Sequence, residues 1–440
     1  MNFANIDELL EYTEKIKGKT FGEMDTKNAL KNGLRRKGVL GDIVETGFYG
    51  YKNNNNAEAD FYELGIELKV SGYIRNKNGT ISAKERLVLG MINYNEIVKD
   101  DFEFSKLFLK NKKILIIWYE YDKEKSPENF VITDFQLYDL SGDELIIKND
   151  YNIIRHKVIE GEAHLLSEGD TSYLGACTKA ATSKNRTKQP FSSIDAKPRA
   201  FSFKNAYLTG LLRSSGLCLE VDDFEYKTIE EYVFSQIQNF IGKTQLEIYE
   251  NLFGETCDKA IPKHINKIIS NEIIGKDKEL KQKHDLFRKT NYKIKNLPVS
   301  SIDYPLERMA FRNICLSEFE EDWDSSEWKK YFEEVTLVVL CYEGSTKIKN
   351  GFRVLKEIKK ISFSDEDIQL FKRSYDMVKK AIEKKDISLL PYPKSFSGQP
   401  LVVAPKGLKN DDAYNNFFKK DVTKVCFMIS KDFLFEKLQN

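Results

Sequence analysis

Alternating apolar and polar residues between Leu64 and Val70 predict a β-strand that buries one row of side chains. The apolar row is Leu64, Ile66, Leu68 and Val70. Glu67 and Lys69 belong to the other row and, as residues i and i+2 of a strand, would lie roughly 7 Å apart on one face. The pattern therefore predicts that an acid and a lysine can act on the same bound group.

The hydrophobic pattern elsewhere predicts helices packed on a mixed sheet. Helical spacing of apolar residues marks the first 32 residues, the glycine-punctuated segment 33–45 and residues 365–382. Strand-like apolar runs occupy residues 112–119, 130–137, 145–158 and 335–341. Together these elements indicate an α/β (α+β) fold with a mixed sheet.

Length and composition suit a protein of two domains. The chain has 440 residues, of which 41% are hydrophobic and 31% charged, and no apolar run reaches the ~18 residues of a membrane helix. The amino terminus lacks the basic start and apolar stretch of a signal peptide. Six cysteines without a CxxC pair indicate reduced thiols in a cytoplasmic protein. With only four isolated histidines, tetrahedral zinc is disfavoured, and a hard cation on carboxylates is the metal that the sequence allows.

Positive charge is concentrated in two segments, although the net charge is only +1. Residues 179–213 carry eight basic residues against one acid, and another basic block spans 276–295. Cations gathered on one surface can neutralise DNA phosphates, whereas a solvated loop that touches nothing would explain the same composition. The two segments make DNA a candidate partner.

The two halves of the chain repeat each other at an offset of about 224 residues. Gly-Lys-Thr at 18–20 recurs at 242–244, and Tyr-Glu at 119–120 recurs at 342–343 after a similar hydrophobic run. We therefore predict an internal duplication, with one domain over residues 1–222 and another over residues 223–440.

Asp60 together with Glu67 and Lys69 is the candidate catalytic cluster. Glu-x-Lys occurs six times in this chain, and the segment 376–385 repeats even the seven-residue gap to an aspartate. That second match lies in a helical pattern, where residues i and i+2 diverge by about 200° around the axis and cannot share a ligand. The strand context of the first match therefore separates it from a solvated charged face.

The second half lacks this cluster. The counterpart of Glu67-Leu-Lys69 falls at about Lys293-Ile-Lys295, and Leu286 stands where the aspartate would be. A strand of this composition can face DNA but should not bind magnesium. One half is thus predicted to perform chemistry and the other, if functional, to bind.

These motifs together resemble the MutH-like endonucleases, a family that includes a mismatch-repair nickase and two-domain Sau-type restriction enzymes. The resemblance rests on Lys37-Gly-x-x-Gly-x-x-x-Glu45, Asp60, Glu67-x-Lys69, Lys-Glu-Arg-Leu-Val-Leu at 84–89 and the block 198–212. It implies a restriction-endonuclease-like core in two tandem MutH-like domains, the first catalytic and the second decayed but DNA-binding. Cys177 and Ser202 depart from the nickase pattern, which favours the restriction enzyme.

The resemblance also implies roles for five residues around the metal. Asp60, Glu67 and Glu45 would ligate Mg²⁺. Lys69 would be the catalytic lysine, and Lys37 would belong to the same pocket. An exposed helix acid and a surface cation are the alternatives for Glu45 and Lys37.

Four further residues are predicted to contact DNA, the first of them from the resemblance. Lys179, in the family's Lys-Ala-Ala loop, would read a guanine or touch a phosphate. Arg199 and Lys204 would grip the DNA backbone. Lys295 would contact DNA from the second domain.

The implied reaction is magnesium-dependent cleavage of both strands at GATC. Because GATC is palindromic, a chain with one intact site must dimerise on DNA or act twice. We expect a monomer when free and a dimer on DNA. The second domain would bind another GATC copy, or would serve stability alone. Two other functions stay open: a GATC nickase of mismatch repair, and a DNA-binding protein that does not cut.

Overall fold

The computed structural model divides the chain into two units. The first comprises Met1–Leu166, Asp170–Asp223 and Arg288–Thr290, and the second Ser167–Gly169, Phe224–Phe287 and Asn291–Asn440. The structure describes residues 3–33, 38–51, 58–76, 79–179, 182, 184–214, 225–254, 261–348, 350–407, 412–420 and 422–439.

The first unit contains two sheets with helices around them. Its strands are β1 (Ile66–Arg75), β2 (Ile81–Ala83), β3 (Leu87–Met91), β4 (Lys113–Glu120), β5 (Val131–Asp139), β6 (Leu174–Thr178) and β7 (Arg199–Phe203). Its helices are α1 (Ile6–Glu14), α2 (Phe21–Met24), α3 (Ala29–Gly33), α4 (Val39–Ile43), α5 (Tyr94–Ile97), α6 (Lys106–Asn111), α7 (Glu144–Ile159) and α8 (Asn205–Ser214). The strand orders are β2-β1-β4-β5 and β3-β7-β6.

The parallel pair β1–β4 forms the centre of the larger sheet. Residues 114–118 of β4 are buried on both faces, as a near-continuous apolar run predicts for a central strand. Because β4 pairs along its whole length with β1, the register places Glu67 opposite Ile114 and Lys69 opposite Ile116. The position of both polar side chains thus follows from the burial of β4.

The second unit has the same arrangement. Its strands are β8 (Tyr292–Val299), β9 (Met309–Asn313), β10 (Thr336–Glu343), β11 (Val354–Ile361), β12 (Leu401–Pro405) and β13 (Val425–Ile429). Its helices are α9 (Ile229–Ile237), α10 (Gln245–Phe253), α11 (Ile265–Ile273), α12 (Asp277–Lys283), α13 (Asp285–Arg288), α14 (Glu327–Glu334), α15 (Asp365–Glu383), α16 (Asp412–Phe418) and α17 (Lys431–Gln439). The strand orders β11-β10-β8 and β12-β13-β9 repeat those of the first unit without β2.

The sheet register fixes which residues of the two units correspond. The parallel pair β1–β4 starts with Ile66 opposite Lys113, and the parallel pair β8–β10 starts with Tyr292 opposite Thr336. Each pairing comprises eight consecutive residue pairs, counting the first. Lys293 and Lys295 are therefore the structural counterparts of Glu67 and Lys69.

The repeated Gly-Lys-Thr tripeptides occupy equivalent turns. The Gly18 amide donates to the carbonyl of Ile132, and the Gly242 amide donates to that of Leu355, each over 2.8 Å. Thr20 and Thr244 then cap α2 and α10 with the same capping box. The tripeptides therefore form the N-terminal caps of equivalent helices, and they are repeated because the two units share one fold.

Most elements expected from the pattern are present, and the α/β fold class is confirmed. One expected strand is wrong: residues 145–158 form α7. Its buried apolar residues Ile147, Tyr151, Ile154 and Val158 are spaced three or four apart, a helical period. In the described part of the chain, no helix combines the length and apolar character needed to cross a membrane.

A buried aspartate ties α7 to the strand that leads to Lys179. The carboxylate of Asp150 accepts hydrogen bonds from the amides of Ser172 (2.8 Å), Tyr173 (2.6 Å) and Leu174 (2.9 Å). These amides open β6, so the carboxylate satisfies backbone donors that would otherwise be buried without an acceptor.

We expect Asp150→Ala to lower the free energy of unfolding by about 3 kcal/mol, because three buried amides lose their acceptor. Urea unfolding of the full chain, followed by circular dichroism, should begin at a lower urea concentration. Asn152→Ala, at an exposed position of the same helix, is the control and should change stability by less than about 0.5 kcal/mol. Equal effects of the two substitutions would contradict the anchoring role.

Candidate active site

A tight turn before β1 places Asp60 beside the strand. The chain reverses through a 3₁₀ turn at Tyr62–Leu64 and through Gly65, whose φ of +64° is a left-handed conformation that favours glycine. Oδ2 of Asp60 then accepts a hydrogen bond from the Leu68 amide over 2.9 Å. The Asp60 carboxylate is thereby fixed at the backbone between Glu67 and Lys69.

Glu67 is a buried carboxylate that forms an ion pair with a lysine. Its side chain is only 2% exposed, while that of Lys69 is 22% exposed, and the Lys69 ammonium donates to Oε1 of Glu67. Oε2 of Glu67 is buried and accepts no hydrogen bond from the described residues. Burial raises the pKa of Glu67, the Lys69 charge opposes that rise, and the Asp60 charge adds to it.

Lys110 is a second cation on Glu67 that the sequence motifs did not indicate. It lies on α6, and its Nζ is 3.5 Å from Oε1 of Glu67. Forty-three positions separate the two residues in a lysine-rich chain, so neither spacing nor composition distinguishes Lys110 from its neighbours. Its place follows from the packing of α6 against β1.

Glu45 faces the same cluster from the amino-terminal helices. It lies where α4 widens into a π-helical turn, Val44–Phe48, a feature often found at functional sites. Burial first, and then the charges of Asp60, Asp42 and Glu67, raise the pKa of Glu45 to about 7, while Lys69 opposes the rise. Asp60, Glu67 and Glu45, with Asp42 nearby, therefore share one electrostatic site with Lys69 and Lys110.

The other residues expected at the site differ in what the structure shows. Lys37 lies outside the described residues. Lys179 is exposed at the end of β6, where its amide is held by the carbonyl of Pro198 over 2.8 Å. Lys295 belongs to the second unit and lies on β8.

Arg199 and Lys204 are buried, which corrects their expected role as grips on the DNA backbone. Arg199 is 1% exposed and donates to the carbonyls of Ala176 and Leu166. Lys204 is 3% exposed and donates to the carbonyl of Thr171. Both cations are used inside the fold, where a phosphate cannot reach them, and we assign them structural roles.

The donor chemistry of the cluster suits a hard divalent cation. Within the described residues, no three carboxylate, imidazole or thiolate groups are placed to enclose a metal as the side chains stand. The Lys69 ammonium instead neutralises one oxygen of Glu67, and Oε2 stays buried without a hydrogen bond among those residues. A buried carboxylate oxygen beside Asp60 and Glu45 offers the all-oxygen ligands that Mg²⁺ prefers, so the residues fit such an ion.

Comparison with known proteins decides the family. The family model for the DNA mismatch repair enzyme MutH matches residues 49–150, which include Asp60, Glu67, Lys69 and Lys110. The type II restriction enzyme Sau3AI of Staphylococcus aureus is 33% identical over 431 residues, covering 93% of this chain and 84% of that protein. The chain belongs to the Sau3AI family of type II restriction enzymes.

Membership of the Sau3AI family confirms the resemblance inferred from the motifs. The alignment with Sau3AI extends over both units, whereas the MutH match is confined to the sheet that carries the cluster and its flanking elements. The restriction-endonuclease-like fold of the first unit therefore brings together Asp60, Glu67, Lys69 and Glu45, and adds Lys110.

We expect Glu45→Gln to stabilise the protein increasingly as pH rises. The pKa of Glu45 is raised from 4.5 to about 7, so the unfolded chain ionises first, and wild-type stability falls as pH rises through this window. Glutamine removes that loss. In EDTA, the stability gain of the variant over wild type should grow by about 2 kcal/mol between pH 5 and pH 8. This value is smaller than the full pKa shift of Glu45 implies, because Glu45 is only half-buried and solvent screens its charge.

Urea unfolding at the two pH values measures this difference. Glu63→Gln, an exposed acid in the turn before β1, is the control and should show a difference that does not depend on pH. A pH-independent difference for Glu45→Gln as well would show that burial and the neighbouring carboxylates do not raise the pKa of Glu45 as described.

Proposed function

We propose that the chain is a magnesium-dependent restriction endonuclease that cuts both DNA strands at GATC. The observation that carries the proposal is the buried Glu67, compensated by Lys69 and Lys110 and bordered by Asp60 and Glu45. A protein that only binds DNA has no use for clustered acids where phosphate must approach, because they repel it. The Sau3AI relationship supports a nuclease acting at a specific site.

Asp60 and Glu67 would hold the metal, with Glu45 as a third ligand or as a group that orients its water. When bound, Mg²⁺ supplies polarisation of the phosphate and a lowered pKa of the attacking water. The Leu68 amide keeps the Asp60 carboxylate in one orientation for this task. Carboxylates that are held by the backbone need little reorganisation when the substrate arrives.

Lys69 would hold the attacking water and stabilise charge that develops on the phosphate. Its ammonium already donates a hydrogen bond to Glu67. It would therefore lie close to a metal ion that Glu67 ligates. Lys110 would offset the burial of Glu67 and contribute a second positive charge to the same oxygen. Lys37 would add a cation to the pocket.

DNA would be held by residues of both units. Lys179, which is exposed at the end of β6, would read a base or touch a phosphate. The second unit would bind another DNA site through Lys295, acting as an effector domain. Since GATC is palindromic, two chains would assemble on the duplex while the free protein is monomeric, and the enzyme would act in the cytoplasm.

Asp60→Asn should lower kcat for cleavage of a GATC plasmid in Mg²⁺ by about 100-fold or more. The asparagine oxygen can still accept from the Leu68 amide, so the loss reports the missing charge and not a misplaced turn. Initial rates of loss of supercoiled plasmid give the measurement, with the exposed Glu63→Gln as the matched control.

Three outcomes would contradict the proposed function. Wild-type protein that leaves an unmethylated GATC plasmid intact is not this nuclease, and equal cleavage by Asp60→Asn would place the chemistry elsewhere. Nicked circles that never become linear would identify a nickase.

Lys110→Gln should reduce kcat by about tenfold to 100-fold, with little change in DNA affinity, because it removes a charge from Glu67 and not from the DNA-facing surface. Lys106→Gln is the matched control, since Lys106 lies one turn earlier on α6 and pairs with Glu96 over 2.9 Å. Single-turnover cleavage and a binding titration separate the two quantities. Equal rates for both variants would remove Lys110 from the site.

A further inference from the structure

The second unit contains a basic cavity of about 750 Å³ beside β8 and α11. Its cationic lining residues are Lys263, Lys267, Lys293, Lys295 and Arg353. The carboxylates in the lining are those of Asp277 and Glu307, so cations outnumber acids by five to two. Asp277 is also 3.1 Å from Lys281, a cation outside the lining. The cavity therefore has an excess of positive charge.

This cavity lies at the position in the second unit that is equivalent to the candidate active site of the first unit. The sheet register equates Lys293 with Glu67 and Lys295 with Lys69, an offset of 226 positions. At the same offset, Asn271 of α11 corresponds to Glu45, and both Asn271 and Lys293 line the cavity.

The remaining counterparts follow the same rule. Lys263 corresponds to Lys37 at the offset of 226, and the buried Leu286 corresponds to Asp60. Asp60, Glu67 and Glu45 are thus replaced by neutral or cationic residues, and Lys69 and Lys37 are kept as lysines, whereas Lys110 has no lysine counterpart. The result is a cavity at the equivalent position with an excess of positive charge.

The lysine at the base of the cavity is anchored in place. Nζ of Lys295 donates to the Ala310 carbonyl over 2.5 Å and lies 5.5 Å from the centre of the Phe311 ring. Lys406 donates to the neighbouring Phe311 carbonyl over 2.5 Å. Burial, together with the charges of Lys406 and Lys293, lowers the pKa of Lys295 to about 8. A bound anion would relieve this repulsion between fixed cations.

We propose that this cavity holds a phosphate oxyanion of duplex DNA without a metal ion. The proposal rests on the proposed function, which supplies DNA as the partner. In the first unit, a phosphate near Glu67 needs a cation between two negative groups. In the second unit, the Lys293 ammonium provides that charge directly. Phosphate binding there is not followed by hydrolysis, because Leu286, Lys293 and Asn271 stand where the first unit has its proposed metal ligands.

The test is DNA binding by the full chain in EDTA, which removes divalent metal. Fluorescence anisotropy with a labelled GATC duplex should give a Kd about tenfold weaker for Lys293→Gln than for wild type. The slope of log K against log salt should fall in magnitude by about one. A duplex with scrambled GATC should show the same fold-loss, because a phosphate contact carries no sequence information.

Two more variants make the result independent of folding. Lys267→Gln changes an exposed residue of α11 and should weaken binding similarly without affecting the fold. Lys380→Gln removes an exposed charge of α15, outside the cavity lining, and should match wild type. Unchanged affinity for both cavity variants, or an equal loss for Lys380→Gln, would overturn the proposal.

Inorganic phosphate distinguishes the two sources of the anion. In EDTA, phosphate should raise the melting temperature of wild type more than that of Lys293→Gln and should compete with the duplex. If phosphate stabilises only wild type but the variant binds DNA normally, the cavity takes free phosphate and the DNA assignment is wrong. Wild-type plasmid cleavage in Mg²⁺ tests the proposed function separately, so its failure is recognised independently of the cavity.

Discussion

The burial of one carboxylate determines the arrangement of the whole candidate site. Glu67 lies on a strand that is fixed by its parallel pairing with the fully buried β4, so it cannot turn towards solvent. An isolated buried charge is costly unless it is paired or neutralised. Lys69 from the same strand and Lys110 from α6 supply that compensation. The acids around Glu67 work against it, and burial together with their repulsion raises the pKa of Glu45. The site is therefore poised to take up positive charge.

The sequence predicted the part of the site that lies within one element or one motif. Strand alternation distinguished Glu67 and Lys69 from the match on α15, which the structure confirms as a helix. Lys110 could not be found in this way, because its contact arises from the packing of a helix on a strand 43 positions away. Basic composition misled for Arg199 and Lys204, since a count of charges does not say which ones a strand or its end turns inward. The helical spacing of α7 was available but was outweighed by its apolar content.

The two units show how little of a fold depends on its active-site residues. Their sheets have the same strand order and the same parallel central pair, and their Gly-Lys-Thr turns make the same hydrogen bonds. What they share is the apolar pattern of β4 and β10 and the capping residues, which determine topology. What differs is the charge of the polar side chains on β1 and β8, where Glu67 corresponds to Lys293. Fold and chemistry are thus encoded by separate sets of positions, and one set can change sign without disturbing the other.

The charge of the second cavity is difficult to explain by stability alone. Burying Lys295 near Lys293 and Lys406 disfavours the charged state, as the lowered pKa of Lys295 shows. An apolar side chain of similar length, such as methionine, would fill the same space without that cost. Loss of metal binding requires only that the carboxylates become neutral, yet Lys293 places a new cation where the first unit has an acid. Positive charge that opposes folding is retained most simply if an anion binds to it. The first unit is proposed to bind a DNA phosphate at its active site. A phosphate site in the second unit would allow both units to bind the same kind of ligand.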